Sequence, residues 1–424
     1  MRAGKIKFNI LLLSLVSPVW VLVESFRQPW VLRKWMLILV ITIFGSTIIL
    51  PEGTDASRHL QNVYSHYHYL AFSDFVNELW HIIILKPLSA TSDIYIHVLS
   101  YFVGSVLSFP GLFFTAVAFV FGYFYINALY KILRWNNRIK KPVIFSAFVL
   151  LFIIYLSIDN MQTVRTWTGA WILFNGVFGY FQTKKKKYLL LMLCAPLVHA
   201  AYAAMALPAY FVALTPRLYP KIFIIVFFAS FLTSIPIPFV SEQLKKSELG
   251  ETKYKSYYRE NPSEWNERYD ETIWYVKHGK RGLSLWAISA VAFALIITRF
   301  YPKRMNYLEA NLFSIGLLMV ALANMANYIP SFYNRLMVNA GLYLLATLTL
   351  LLIRGELLNK RGFNLILRKS LLWVVIIMFL PKIVYFFANV IQFTSIYMIG
   401  VPFIAFFGEN ANISIREFLG WFIQ

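Results

Sequence analysis

Long apolar runs alternate with short polar segments, most of them basic, along almost the whole chain. Such runs approach the roughly 20 residues that carry a helix across a bilayer, whereas an outer-membrane barrel would show alternating segments of about 10 residues. The pattern predicts membrane helices over 8–23, 35–50, 110–133, 142–158, 168–181, 222–240, 283–298, 312–327, 336–353 and 371–390, and a broken helix over 93–107. Segment 188–213 is long enough to cross. Four lysines precede it, however, and Arg217 and Lys221 follow it, so both its ends carry the basic mark of a cytoplasmic flank. We read it as a re-entrant pair of half-helices bent near His199, tolerable where protein or a cavity covers the broken backbone. Two outer loops remain, 51–97 and 241–282; in the first, 72–85 has the pattern of an interfacial helix with Trp80 at headgroup depth. An amphipathic tail follows near 413–423. The expected fold is all-α: one polytopic helical bundle over 1–424, with about 10–12 membrane helices and a re-entrant segment.

Charge gives this layout a direction. Of the 40 Lys and Arg residues, 22 fall in the six segments placed inside, and nine of the outer 18 lie in 241–282 among eight acids. A full crossing by 188–213 would invert every later loop and put the basic ones outside. Helix 168–181 has Arg165 before it and Lys184, Lys185, Lys186 and Lys187 after it. The lysines mark the cytoplasm, and Arg165 is left at the outer boundary, where a cation needs a partner. With 59% hydrophobic residues, 14% charged residues and a mean hydropathy of +0.61, a soluble domain is excluded. The net charge of +21 is what insertion topology requires, so nucleic acid is not an expected partner. Cys194 is the single cysteine, which excludes an intramolecular disulfide and a cysteine-based metal site.

Few residues in such a chain can carry chemistry. Arg165 and Arg335 are single arginines at outer helix ends, and their planar forks match phosphate oxygens, so two of them can grip a pyrophosphate; the plainer reading is that each snorkels to lipid headgroups. His199 is either a neutral hydrogen-bonding residue of the bundle or a proton acceptor. Asp55, near His59, is the other base candidate, and its Glu52-Gly53-Thr54-Asp55 context equally suits a helix N-terminus. His59, His66 and His68 lack metal-ligand spacing, so no metal is expected, and without a Walker motif neither is ATP. The loop 241–282 carries seven aromatics, among them Tyr258 and Trp265, which suit stacking on sugar faces or the apolar side of an interfacial helix. Gly169, Gly176 and Gly179 would let a helix or an acyl chain come close to 168–181.

In order, these features resemble the EpsG/Wzy type of polysaccharide polymerase from bacterial inner membranes. The likeness is carried by Glu24-Ser25 at the end of the first helix, Gly53-Thr54-Asp55 followed by Tyr64 and Tyr67, and Lys86-Pro87; most closely by Arg165 through Lys187 and by His199 through Tyr210. The chain departs from the pattern at Thr166, Ala200 and Lys86, where the family commonly has glutamine, serine and an acid. The resemblance implies a GT-C-like helical enzyme of the inner membrane with its site facing the periplasm. Its substrate would be undecaprenyl-pyrophosphate-linked oligosaccharide repeat units, polymerised into O-antigen or exopolysaccharide without a cofactor, alongside membrane lipids and a chain-length regulator as partners. Arg165, Arg335, Tyr64, Tyr258 and Trp265 would bind substrate, and Asp55 or His199 would act as base. A transporter or flippase of an anionic or lipid-linked substrate, and an O-antigen ligase, are the alternatives.

Overall fold

The computed structural model describes residues 9–10, 12–84, 86, 91, 93–135, 143–215, 220–233, 272–280, 282–298, 301, 303–327, 329–357, 363–406 and 413–421. These residues build helices and no strand; extended backbone pairs among them at two isolated bridges, Ile48 with Thr394 and Ser395 with Ser414. The first half comprises α1 (Pro18–Ser25), α2 (Trp30–Ser46), α3 (Asp55–Ser65), α4 (Phe72–Ile83), α5 (Ile94–Tyr101), α6 (Phe113–Leu133), α7 (Val143–Tyr155), α8 (Thr166–Thr183), α9 (Lys187–Val198), α10 (Tyr202–Met205) and α11 (Leu207–Leu214). The second half follows with α12 (Pro220–Ala229), α13 (Trp274–Lys280), α14 (Leu283–Ile297), α15 (Tyr307–Met325), α16 (Pro330–Ile353), α17 (Phe363–Met378), α18 (Leu380–Phe393) and α19 (Ile415–Gly420).

Among the described residues, six stretches are long and apolar enough to cross a membrane: Pro110–Leu133, Ile144–Thr163, Trp274–Ile297, Tyr307–Met325, Pro330–Ile353 and Arg368–Phe393. The chain is a helical membrane bundle. Six is fewer than the ten to twelve expected. The span expected over 8–23 falls partly outside the described residues and breaks at Ser17 before Pro18, and 222–240 leaves the described residues after 233. Helix α2 has 17 residues, and α8 has 18 with Asn175 and Gln182 diluting its hydropathy.

The bundle is organised on α16, in which every residue from Asn339 to Ile353 is buried. A helix apolar on all sides belongs at the centre of a bundle. Antiparallel α15 packs along it, and the two are joined at their far ends by Arg354, whose Nε lies 2.7 Å from Oε1 of the buried Glu309. Glu309 also completes a capping box with Asn306 at the start of α15.

Helix α8 packs mainly on α9, to which it is joined by Lys184 in a left-handed conformation. Glycines make that approach possible. A methyl group at Gly176 would stand 2.6 Å from Met192, one at Gly179 2.4 Å from Tyr188, and one at Gly169 2.7 Å from the ring of Tyr202. The small-residue stripe is therefore filled by protein, as in ordinary helix packing. Helix α9 contains Pro196 and stops at His199, whose backbone is extended. The chain then doubles back through α10 and α11 until the Ala213 carbonyl lies 3.5 Å from the Tyr180 hydroxyl. Both ends of 188–213 thus lie at the Lys184 end of α8, and His199 lies toward the Arg165 end.

The broken helix expected over 93–107 is observed as α5 followed by a π turn at Phe102–Val106. Helix α4 presents Phe72, Val76, Trp80 and Ile83 as one exposed apolar stripe, in keeping with an interfacial position. Its opposite face anchors it to α5, with Phe75 stacked on His97 at 4.8 Å and on Tyr101 at 4.1 Å between ring centroids. His97 is fully buried, its Nδ1 2.9 Å from the Tyr67 hydroxyl, and His66 Nε2 lies 3.0 Å from Glu78. Of the loop expected over 241–282, residues 241–271 and 281 lie outside the described residues; Trp274–Lys280 forms α13, which packs on α18. The tail forms α19, started by a capping box between Ser414 and Glu417.

Candidate functional site

Four side chains from distant parts of the chain meet near the Arg165 end of α8. Asp93 directly precedes α5, is buried, and makes no side-chain capping bond to that helix. Its Oδ1 accepts the Ala200 N–H at 2.8 Å and faces His199 Nδ1 at 3.3 Å, while Oδ2 accepts from the Arg165 guanidinium. The other ring nitrogen, His199 Nε2, lies 3.2 Å from Arg335 Nη1. A carboxylate only accepts and a guanidinium only donates, so the network assigns the proton of His199 to Nδ1 and leaves Nε2 as the acceptor. The result is a continuous chain: Arg165, Asp93, His199, Arg335.

Local structure explains how each member is held. Arg165 precedes the first turn of α8 and is reached through a 3-10 turn, Ile158–Thr163, and then Val164. Val164 has φ +54° and ψ −58°. A β-branched residue there is strained, at a cost on the order of 1–3 kcal/mol, and such strain persists where the surroundings over-determine it. The turn itself is pinned by buried Asp159, which accepts from Asn389 at 2.9 Å. Arg335 lies in the second turn of α16, not at its end, because the helix begins at Pro330. One turn further on, Asn339 donates to the Arg335 carbonyl at 2.8 Å and to the Tyr202 hydroxyl at 3.3 Å. Tyr202 in turn donates to the Thr166 carbonyl at 2.8 Å. One hydroxyl thus ties α8, α10 and α16 together beside the cluster.

Removing that hydroxyl isolates its effect. Tyr202→Phe keeps the ring against Gly169 but removes the bond to the Thr166 carbonyl and one of the two bonds of the Asn339 amide, which should destabilise the protein by about 1–2 kcal/mol. Thermal unfolding in detergent checks this; an unchanged transition would show that the junction does not depend on Tyr202.

Electrostatics fix the charge of the carboxylate. Burial acts to raise the Asp93 carboxyl, but the hydrogen bond with His199 and the Arg165 charge outweigh it and hold the group well below the usual carboxylate range. Asp93 is therefore ionised. His59, on α3, is pushed down to about 4 by burial and by the Arg165 charge, so it is neutral at pH 7. Among the described residues the cluster holds two guanidinium cations against one carboxylate, with its imidazoles neutral.

Three of the expected site residues, Arg165, His199 and Arg335, are brought together. Asp55 is not among them: it opens α3 after the Thr54 cap, its side chain is 66% exposed, and it pairs with Arg58. It lies within electrostatic reach of His59, as Arg165 does. Tyr64, farther along α3, is exposed, while Tyr258 and Trp265 lie outside the described residues. The sequence reading missed Asp93, the residue on which the other three converge. A signal existed: it is the only acid between Glu78 and Asp159, standing directly before an apolar run. Among the described residues no three His, Cys, Asp or Glu side chains gather as a metal set. No protein-family model, curated protein or solved structure matches this chain.

Proposed function

We propose that this protein polymerises lipid-linked oligosaccharide repeat units at the periplasmic face of a bacterial inner membrane, taking undecaprenyl-pyrophosphate-linked glycan as donor. The observation that carries the reading is the chain of Arg165, Asp93, His199 and Arg335, in which two guanidinium groups flank a buried, carboxylate-oriented imidazole. With the Lys184 end of α8 in the cytoplasm by the positive-inside rule, the cluster faces outward and 188–213 enters and leaves on the same side. Helix α9, with 12 residues, is about 18 Å long, which suits a half-helix of a re-entrant pair in a GT-C-like bundle.

The chemistry follows from the groups present. A diphosphate entering the site competes for Arg335 and frees the lone pair of His199 Nε2. The acceptor sugar hydroxyl gives its proton to that nitrogen, and its oxygen attacks the anomeric carbon of the donor. The bond from that carbon to the diphosphate breaks, and its electron pair leaves on the diphosphate. Arg165 and Arg335 stabilise the negative charge that develops there, and Asp93 keeps Nδ1 protonated and the ring oriented. Asp55, beside His59, is the second candidate for the base. The aromatic stretch with Tyr258 and Trp265, together with Tyr64, would hold glycan, and a chain-length regulator would act on the emerging polymer.

The test is reconstitution. Purified protein in nanodiscs, given lipid-linked repeat units from its host, should yield a ladder of glycans, and Arg165→Ala should remove the ladder without lowering membrane abundance. Polymer of normal length from that variant would take Arg165 out of the site. One observation favours a second reading: interrupted helices, α5 and α9, end at the charged cluster, as they do in transporters. A transporter would return the repeat units unchanged but moved across the bilayer, and a ligase would pass glycan to a different lipid acceptor.

A further inference from the structure

Between α5 with its π turn and α9 runs a groove of about 470 Å³, walled by Ile94, Val98 and Phe102 on one side and Cys194, Leu197 and Val198 on the other. That volume falls in the range of small-molecule sites, and its walls are apolar throughout. Its position is what distinguishes it from any other lipid-facing surface. Ile94 directly follows Asp93 and Val198 directly precedes His199, so the two walls converge on the charged cluster. Val98, Phe102, Cys194 and Leu197 are exposed, which leaves the groove open along its length. Tyr95, also in the wall, has a buried hydroxyl with no hydrogen-bond partner among the described residues.

We propose that this groove seats the first isoprene units of a polyprenyl diphosphate, whose phosphates lie at Arg165 and Arg335. The inference rests on the polymerase reading and adds to it the place of the lipid chain. A diphosphate held by the guanidinium forks of Arg165 and Arg335 has to bring its hydrocarbon with it. The groove between α5 and α9 is the apolar surface that begins at the cluster. The π turn that follows α5 and Pro196 inside α9 fall within the wall segments.

The lone cysteine makes the test possible in the unsubstituted protein. Alkylation of Cys194 by a membrane-permeant maleimide is followed in nanodiscs with undecaprenyl diphosphate, with phosphatidylglycerol at the same mole fraction, or with inorganic pyrophosphate, while binding of each is measured separately by native mass spectrometry. The expected result is alkylation about fivefold slower with the polyprenyl lipid and unchanged with the other two. Val98→Trp, which fills the groove, should abolish that protection. Equal protection by phosphatidylglycerol would overturn the proposal, making the groove a general lipid surface. Binding of the polyprenyl lipid that requires Arg165 but leaves Cys194 fully reactive would also overturn it, while sparing the head-group site. Absence of any binding would overturn both.

Discussion

Replacing Asp93 with alanine is expected to abolish chain extension and to lower the stability of the bundle by about 3–5 kcal/mol, the cost of leaving a buried charge without its partner. The carboxylate receives the Arg165 guanidinium, the Ala200 N–H and the His199 Nδ1 proton, so its loss strands three donors at once. Arg165, only 19% exposed, cannot recover its solvation in water. Asp93→Asn separates the two effects. The amide keeps an oxygen for Ala200 and fills the same volume, so folding should suffer less. It no longer balances Arg165, toward which it now turns donors, nor the charge that His199 takes on with a proton, so the glycan ladder should still disappear. The check is a melting curve and a ladder assay on both variants; normal polymer from Asp93→Asn would reduce the carboxylate to a structural part.

A comparable loss of stability with no loss of chemistry is expected at the opposite end of the bundle. Glu309 is fully buried and Arg354 is 24% exposed, so Glu309→Ala should cost about 3–5 kcal/mol by leaving the guanidinium unpaired and removing the N-terminal capping box of α15. Polymer length per folded molecule should not change. Replacing both residues by leucine should recover most of the loss, because apolar packing often substitutes for a buried pair at little cost. Melting temperatures of the single and double variants, read beside their glycan ladders, test this. A Glu309→Ala protein with normal stability and no ladder would move the pair into the mechanism.

The contrast between these two pairs bears on what the sequence could reveal. Arg165, His199 and Arg335 were legible because an isolated ionisable residue in an apolar setting needs a partner, and the span Pro110–Leu133 was legible because hydropathy alone determines it. Asp93 was not legible. Its partners Arg165 and His199 are 72 and 106 residues away, and read locally an acid before an apolar run is only a helix cap. The start of α16 was hidden for a related reason: Ser331, Asn334 and Arg335 interrupt the apolar pattern, so hydropathy begins the helix one residue after the arginine that matters. The bend in 188–213 was visible in the charges at its two ends. That the bend delivers Ala200 and His199 onto Asp93 depends on packing that no local pattern encodes.

The outer face of α4 adds a mechanical consequence. Phe72, Val76, Trp80 and Ile83 form its apolar side, and Phe75 on the other side grips His97, one turn after Asp93 in the chain. Were that side to rest among lipid headgroups, its depth would set the height of the carboxylate above the bilayer midplane. The membrane surface would then be the datum from which the site is levelled, and a thinner or thicker bilayer would tilt α4 and shift Asp93 with it.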